Sequence, residues 1–126
     1  MLGLHWAETA RTAVLRRAAT IRASFASERV REGDPFVVEQ QLIRDAQKGD
    51  RDALITLLRE VETHVYRTAY YLLGNEQDAM DASQEALIRI YTKIQSYEEK
   101  ALFKTWVQRI VTNICIDKFR RKKPTE

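Results

Sequence analysis

Apolar residues in this chain recur at steps of three and four, and no stretch alternates in twos, so the pattern predicts helices throughout and no strands. Near the C-terminus, Phe103, Val107, Ile110, Val111 and Ile114 form one stripe of a helix over residues 100–123. A longer helix upstream carries Leu54, Leu57, Leu58, Val61, Val65, Ala69 and Leu72, with Asp50 placed to cap its start and Gly74 its end. Between these two, Ala79, Ala82, Ala86, Ile90 and Ile94 face inward on a helix that Asn75 caps, with Glu76 and Asp78 in the first turn, where the helix dipole favours acids. Val38, Leu42, Ile43 and Ala46 predict a short helix stopped by Gly49. At the N-terminus, Trp6, Ala10, Val14, Ala18, Ile21 and Phe25 predict an amphipathic helix over residues 7–31, ended by Gly33, Asp34 and Pro35. Short connections place consecutive helices antiparallel. The expected fold is all-α: a compact bundle of about four helices over residues 37–124, preceded by a helical extension over 1–36, with residues 125–126 opening a linker.

The polar faces add chemistry to this outline. On the last helix, Arg109, Asn113, Asp117 and Arg120 share a side at steps of three and four, and the helix runs into Arg120, Arg121, Lys122 and Lys123. Clustered cations suit phosphates through counterion release, and an Asn side chain offers both a donor and an acceptor to a base edge. A basic last turn also complements the helix dipole and can simply be solvated. On the preceding helix, Asp81, Gln84, Glu85 and Ile88 share one side, with Arg89 and Tyr91 beside it. Taken alone, such a strip is a solvated helix face. Tyr97, Phe103 and Trp106 flank the loop over residues 95–100. Aromatics among basic groups suit single-stranded bases, but Phe103 and Trp106 sit at core spacing, which leaves Tyr97 as the ring for stacking.

Composition narrows the function classes. The 126 residues suit one domain, and the net charge of +3 is unevenly spread: +2 over residues 1–37, −5 over 38–99 and +6 over 100–126. An acidic body beside a basic terminal helix points to two different partners. The single cysteine, Cys115, lies close to the apolar stripe, so it reads as a buried thiol and fits a reducing cytoplasm. No apolar run approaches the ~18 residues of a membrane span, and no signal peptide is visible. His5 and His64 lack metal-ligand spacing with Cys115, there is no Gly-rich phosphate loop, and no Ser has a neighbouring base. Neither catalytic residues nor a metal, a cofactor or a small-molecule substrate is expected, and the chain does not read as an enzyme. The first segment, with Arg as its only basic type, leaves several readings open: an arm for DNA or a membrane surface, a partner-docking helix, a transit segment, or an added extension that packs on the body or frays.

The run LIRDAQKGDRDALITLLREVETHVYRTAYYLLGNEQDAMDASQEALIRIYTKIQSYEEKALFKTWVQRIVTNICIDKFRRKKP, residues 42–124, resembles region 2 of bacterial RNA polymerase sigma factors of the extracytoplasmic-function group. Three motifs carry the likeness in order, with matching intervening lengths: AQKGDRDAL, YYLLGNEQDAMDASQEALIRIY and FKTWVQRIVTNICIDKFRRKK. The resemblance implies a transcription-initiation module. Asp81, Gln84, Glu85, Ile88 and Arg89 would dock on the coiled coil of the largest subunit of core RNA polymerase. Residues 95–103, with Tyr97, Lys100 and Lys104 in the DNA-facing set, would capture a base extruded from the minus-ten element of the promoter. Asn113 would face bases of the nontemplate single strand, and Arg109, Arg120, Arg121, Lys122 and Lys123 would hold its phosphates. Asp117 would orient Arg120 or a neighbouring cation. An anti-sigma factor is a further partner that the resemblance brings. In this group a linker and a second DNA-binding domain follow region 2, and the chain stops where that linker would begin, so alone it is expected to bind duplex promoters poorly. Residues 1–36 match nothing in region 2. A competing reading is a sigma-like interaction module, anti-sigma-bound, co-sigma or decoy, with little DNA recognition of its own. A third is membrane-surface attachment through residues 7–31.

Overall fold

The structure, a computed structural model, describes residues 2–24 and 38–121, with side-chain environments for 12–23 and 38–120. Among the described residues five helices follow one another: α1 (Leu2–Ser24), α2 (Gln40–Gln47), α3 (Arg51–Leu73), α4 (Glu76–Lys93) and α5 (Phe103–Arg121), with a 3-10 turn at Ile94–Ser96. No strand occurs among the described residues, and the all-α expectation holds. The caps fall where the sequence places them. The Asp50 side chain accepts from the Ala53 N–H at 3.2 Å, satisfying a donor that the first turn of α3 leaves open. Gly74 ends α3 at φ 75°, a left-handed conformation that favours glycine, and its N–H donates to the Tyr70 carbonyl at 2.8 Å. The Asn75 side-chain oxygen then accepts from the Asp78 N–H at 2.9 Å and opens α4. This sharp reversal folds α4 back on α3.

The centre of the molecule is α3, which packs against all four other helices. Its stripe Leu57, Val61, Val65, Ala69 and Leu72 is wholly buried. Ala79, Ala82 and Ala86 on α4 lack bulk, so α4 can approach α3 closely before Ile90 closes the contact. Val107, Val111, Ile114 and Cys115 bring α5 onto the same core. Replacing Leu57 by Ala leaves a cavity that rigid neighbours cannot fill, and is expected to cost about 2 to 5 kcal/mol in chemical denaturation.

Where α1 packs was not evident from its sequence. Val14 and Ala18 are buried and Ile21 packs against the core, which seats α1 on α3 and α5. Among the described residues it touches neither α2 nor α4. It begins at Leu2, five positions earlier than residue 7, while its expected end at 31 and the Gly33–Pro35 stop lie outside the described residues.

Burial pushes the Cys115 thiol up to about 12, with nearby Lys118 opposing and Glu85 adding to the shift. The thiolate is the reactive form, so an alkylating reagent at about pH 8 is expected to leave native protein unlabelled and to label it only after unfolding. Rapid native-state labelling, followed by mass spectrometry, would contradict this burial.

Candidate functional site

Because α4 spends its small residues on the core, its mixed strip is left facing outward. Asp81, Gln84 and Glu85 are exposed, Arg89 is half-buried, and Ile88 is 63% exposed. Helix spacing alone places these side chains together. The Glu85 carboxylate lies 3.8 Å from the Arg89 guanidinium, one turn on, and Asp81 lies 3.8 Å from Lys118 of α5. Both are solvent-accessible pairs, and such pairs contribute at most about 1 kcal/mol, so they leave the ridge open to exchange partners. Ile88 has no such partner chemistry. It is the most exposed of the large apolar side chains described, in the middle of a polar ridge.

On α5 the buried stripe fixes the helix rotation, and Arg109, Asn113, Asp117 and Arg120 consequently emerge together into solvent. Lys104, one turn before Gln108, is half-buried. The α1 helix does not bury this face. Its Arg22 guanidinium reaches the Asn113 amide oxygen at 3.5 Å, the outer limit of a hydrogen bond, between two exposed residues. Among the described residues Asp117 forms no ion pair with Arg120, and the expected alternative, a neighbouring cation such as the Arg121 side chain, lies outside them; Lys118 of α5 pairs with Asp81. The Arg121 backbone closes α5, while its side chain, Lys122 and Lys123 lie outside the described residues.

Tyr97 is the clearest correction. Its ring is 6% exposed and packs edge-on against Phe103, with centroids 5.3 Å apart, and against Trp106 at 5.5 Å. Phe103 and Trp106 stack at 5.6 Å, and the Tyr97 hydroxyl donates to the Ala101 carbonyl at 2.6 Å. A base cannot stack on this ring without dismantling the cluster. Tyr97 instead pins the turn into α5 from inside. Lys100, beyond it, is exposed and lies 3.1 Å from the Glu98 carboxylate.

A brace from α2 was missed by sequence reasoning. The Gln47 side-chain amide donates to the Ile94 carbonyl at 3.0 Å and to the Tyr97 carbonyl at 2.8 Å. Arg44 makes a two-pronged pair with Glu99, at 3.1 and 3.3 Å. Hydrogen bonding to Arg44, then to Gln40, holds the Glu99 carboxyl below the usual carboxylate range. The brace is therefore intact above the ordinary glutamate range and is lost as pH falls through the lowered value. Residues about 50 positions apart carry no shared periodicity, so nothing in the sequence pattern announced this contact.

The assembled surface is thus an outward carboxylate-amide ridge on α4, a cationic and amide face on α5, and a braced loop leading into α5. The family model described as Sigma-70 region 2 matches residues 57–125. The ECF RNA polymerase sigma factor SigW of Bacillus subtilis is 42% identical over 82 residues, covering 65% of this chain and 44% of its own length. SigE of Mycolicibacterium smegmatis is 40% identical over 77 residues, or 59% and 30% of the two chains. SigM of Mycobacterium tuberculosis strain H37Rv is 32% identical over 85 residues, or 68% and 43%. No solved structure matches. The chain belongs to the sigma-70 family through its region 2, and within that family to the ECF group of RNA polymerase sigma factors. It spans less than half the length of these curated relatives.

Proposed function

We propose that this chain acts in transcription initiation, joining core RNA polymerase through the α4 ridge and gripping the opened nontemplate strand of the minus-ten element through α5 and the loop before it. Ile88 carries the reading. An isoleucine 63% exposed among carboxylates and amides does nothing for this fold, yet it suits a surface that a partner buries. Asp81, Gln84, Glu85 and Arg89 surround it with polar groups suited to the rim of such a contact. The partner is the coiled coil of the largest polymerase subunit, and an anti-sigma factor competes for overlapping surface.

On the other side, Asn113 faces bases, while Arg109, Arg120, Arg121, Lys122 and Lys123 hold phosphates, with Lys100 and Lys104 at the loop. Unstacking a base costs a few kcal/mol, which cationic contacts along the released strand offset. Residues 37–124 form the region 2 unit, and α1 is an element added to it. The test is a titration of core polymerase with the chain, followed by nontemplate-strand oligonucleotides altered at minus-ten positions. A polymerase complex with sequence-dependent strand affinity is expected. Failure to bind polymerase overturns the reading, and polymerase binding with only sequence-blind, salt-sensitive strand binding favours the interaction module instead.

A further inference from the structure

Helix α1 sets two cationic elements side by side. Its described side chains include Arg16, Arg17 and Arg22 and no carboxylate, yet it lies against α5 where Arg22 meets Asn113. Like charges gathered along one groove repel one another unless an anion completes them. Five residues before Arg22, about 7.5 Å along the helix, Arg17 reaches α3. Its guanidinium donates to the Tyr71 carbonyl at 3.1 Å and sits 5.7 Å from the centre of the Tyr71 ring. That contact uses one of five N–H donors and fixes the plane of the rest.

Around Arg17 lies a cavity of about 420 Å³ lined by Tyr66, Arg67, Tyr70, Tyr71 and Gly74. Tyr70 and Tyr71 are 49% and 47% exposed, and the Tyr66 and Tyr70 rings lie 6.2 Å apart. Neither Arg17 nor Arg67 pairs with a carboxylate among the described residues. Exposed rings interleaved with uncompensated guanidinium groups match a single strand, whose bases offer faces to stack and whose phosphates offer charge. The position separates this surface from the proposed polymerase ridge, because among the described residues α1 touches α3 and α5 but not α4.

We propose that α1 and the C-terminal half of α3 form a second single-strand subsite, in which Tyr70 stacks a nucleobase, Tyr71 orients Arg17, and Arg17 and Arg67 hold the flanking phosphates. The inference rests on the reading of α5 given above and extends the path of the strand from Asn113, past Arg22, to Arg17. The helix that region 2 lacks thereby acquires a function: it lengthens the bound strand.

The test is fluorescence anisotropy of the whole chain with a labelled mixed-sequence DNA strand of about 12 nucleotides, within the span of known single-strand sites. Tyr70→Ala is expected to weaken binding about tenfold, since it removes one stacking face. Tyr70→Phe keeps the ring and should bind as the unaltered chain does. Arg67→Ala should reduce the slope of log affinity against log salt by about 0.7. Unchanged far-ultraviolet dichroism and melting in each variant show that the fold persists. If Tyr70→Ala and Arg67→Ala bind the strand normally while Arg120→Ala weakens it, the second subsite is overturned and the α5 reading stands. Normal strand binding combined with weakened polymerase affinity would likewise overturn it, assigning the patch to a protein partner. If Arg120→Ala is silent too, the α5 reading itself fails.

Discussion

Replacing Ile88 by Asp is expected to lower affinity for core RNA polymerase about a hundredfold while leaving the fold and the strand affinity of the isolated chain unchanged. Burying an aliphatic side chain of this size contributes about 1.5 to 3 kcal/mol, and each 1.4 kcal/mol is a factor of ten. The substitution removes that contribution and adds a carboxylate that docking would strip of water, so the effect falls at the top of the range. Folding is spared because the Ile88 side chain is already 63% exposed. Glu85→Ala should act in the same direction and more weakly, since its 3.8 Å pair with Arg89 is solvent-accessible and contributes little to the free protein. Surface plasmon resonance against immobilised core enzyme measures both. Wild-type affinity in Ile88→Asp would remove the α4 ridge from the interface.

The second large effect concerns α5. Neutralising Arg109 and Arg120 together, as Gln, is expected to weaken binding to the nontemplate strand at low salt, by about tenfold for each charge-assisted hydrogen bond to phosphate that the substitution removes. It should also reduce the salt slope by about 1.4, because each phosphate neutralised on a single strand contributes about 0.7. Asn113→Ala should behave differently, flattening preference among bases with little change in salt dependence, since an amide reads base edges and releases no counterions. The 3.5 Å contact from Arg22 is weak enough that a base edge can replace it. Polymerase affinity should be unaffected in all of these variants. A salt slope unchanged by removing both arginines would mean that the strand does not lie on this face.

These faces were legible in the sequence because each lies on one helix. A stripe at steps of three and four fixes helix rotation once the apolar side is buried, so the exposure of Asp81, Gln84, Glu85 and Ile88, and of Arg109, Asn113 and Arg120, follows from spacing alone. The caps at Asp50, Gly74 and Asn75 were equally readable, since each acts within four residues. What spacing does not carry is contact between elements. The loop over residues 95–102 has no period, so the burial of Tyr97 among Phe103 and Trp106 depends on three-dimensional closure. The same holds for Gln47 and Arg44 bracing that loop from α2, for Lys118 reaching Asp81, and for α1 settling between α3 and α5. The Tyr97 error has a definite cause. An aromatic beside basic residues has the same local signature whether its ring points outward to a base or inward to a core, and only its neighbours decide.

Burying Tyr97 alters how the loop is understood. A ring locked inside, with its hydroxyl on the Ala101 carbonyl and its own carbonyl held by Gln47, makes the turn into α5 rigid. Rigid support limits the entropy cost of binding, and under the proposed function base capture would fall to the backbone and the exposed positions around Lys100 rather than to a stacking tyrosine.

The central claim is that two chemically opposite faces of one bundle meet two different partners, and site-specific photocrosslinking in a complex with core polymerase and an opened promoter tests it most directly. With the crosslinker at position 88, the largest polymerase subunit should be labelled and DNA should not; at position 113, the nontemplate strand should be labelled and polymerase should not. Labelling of the same partner from both positions, or the reverse assignment, would contradict the account.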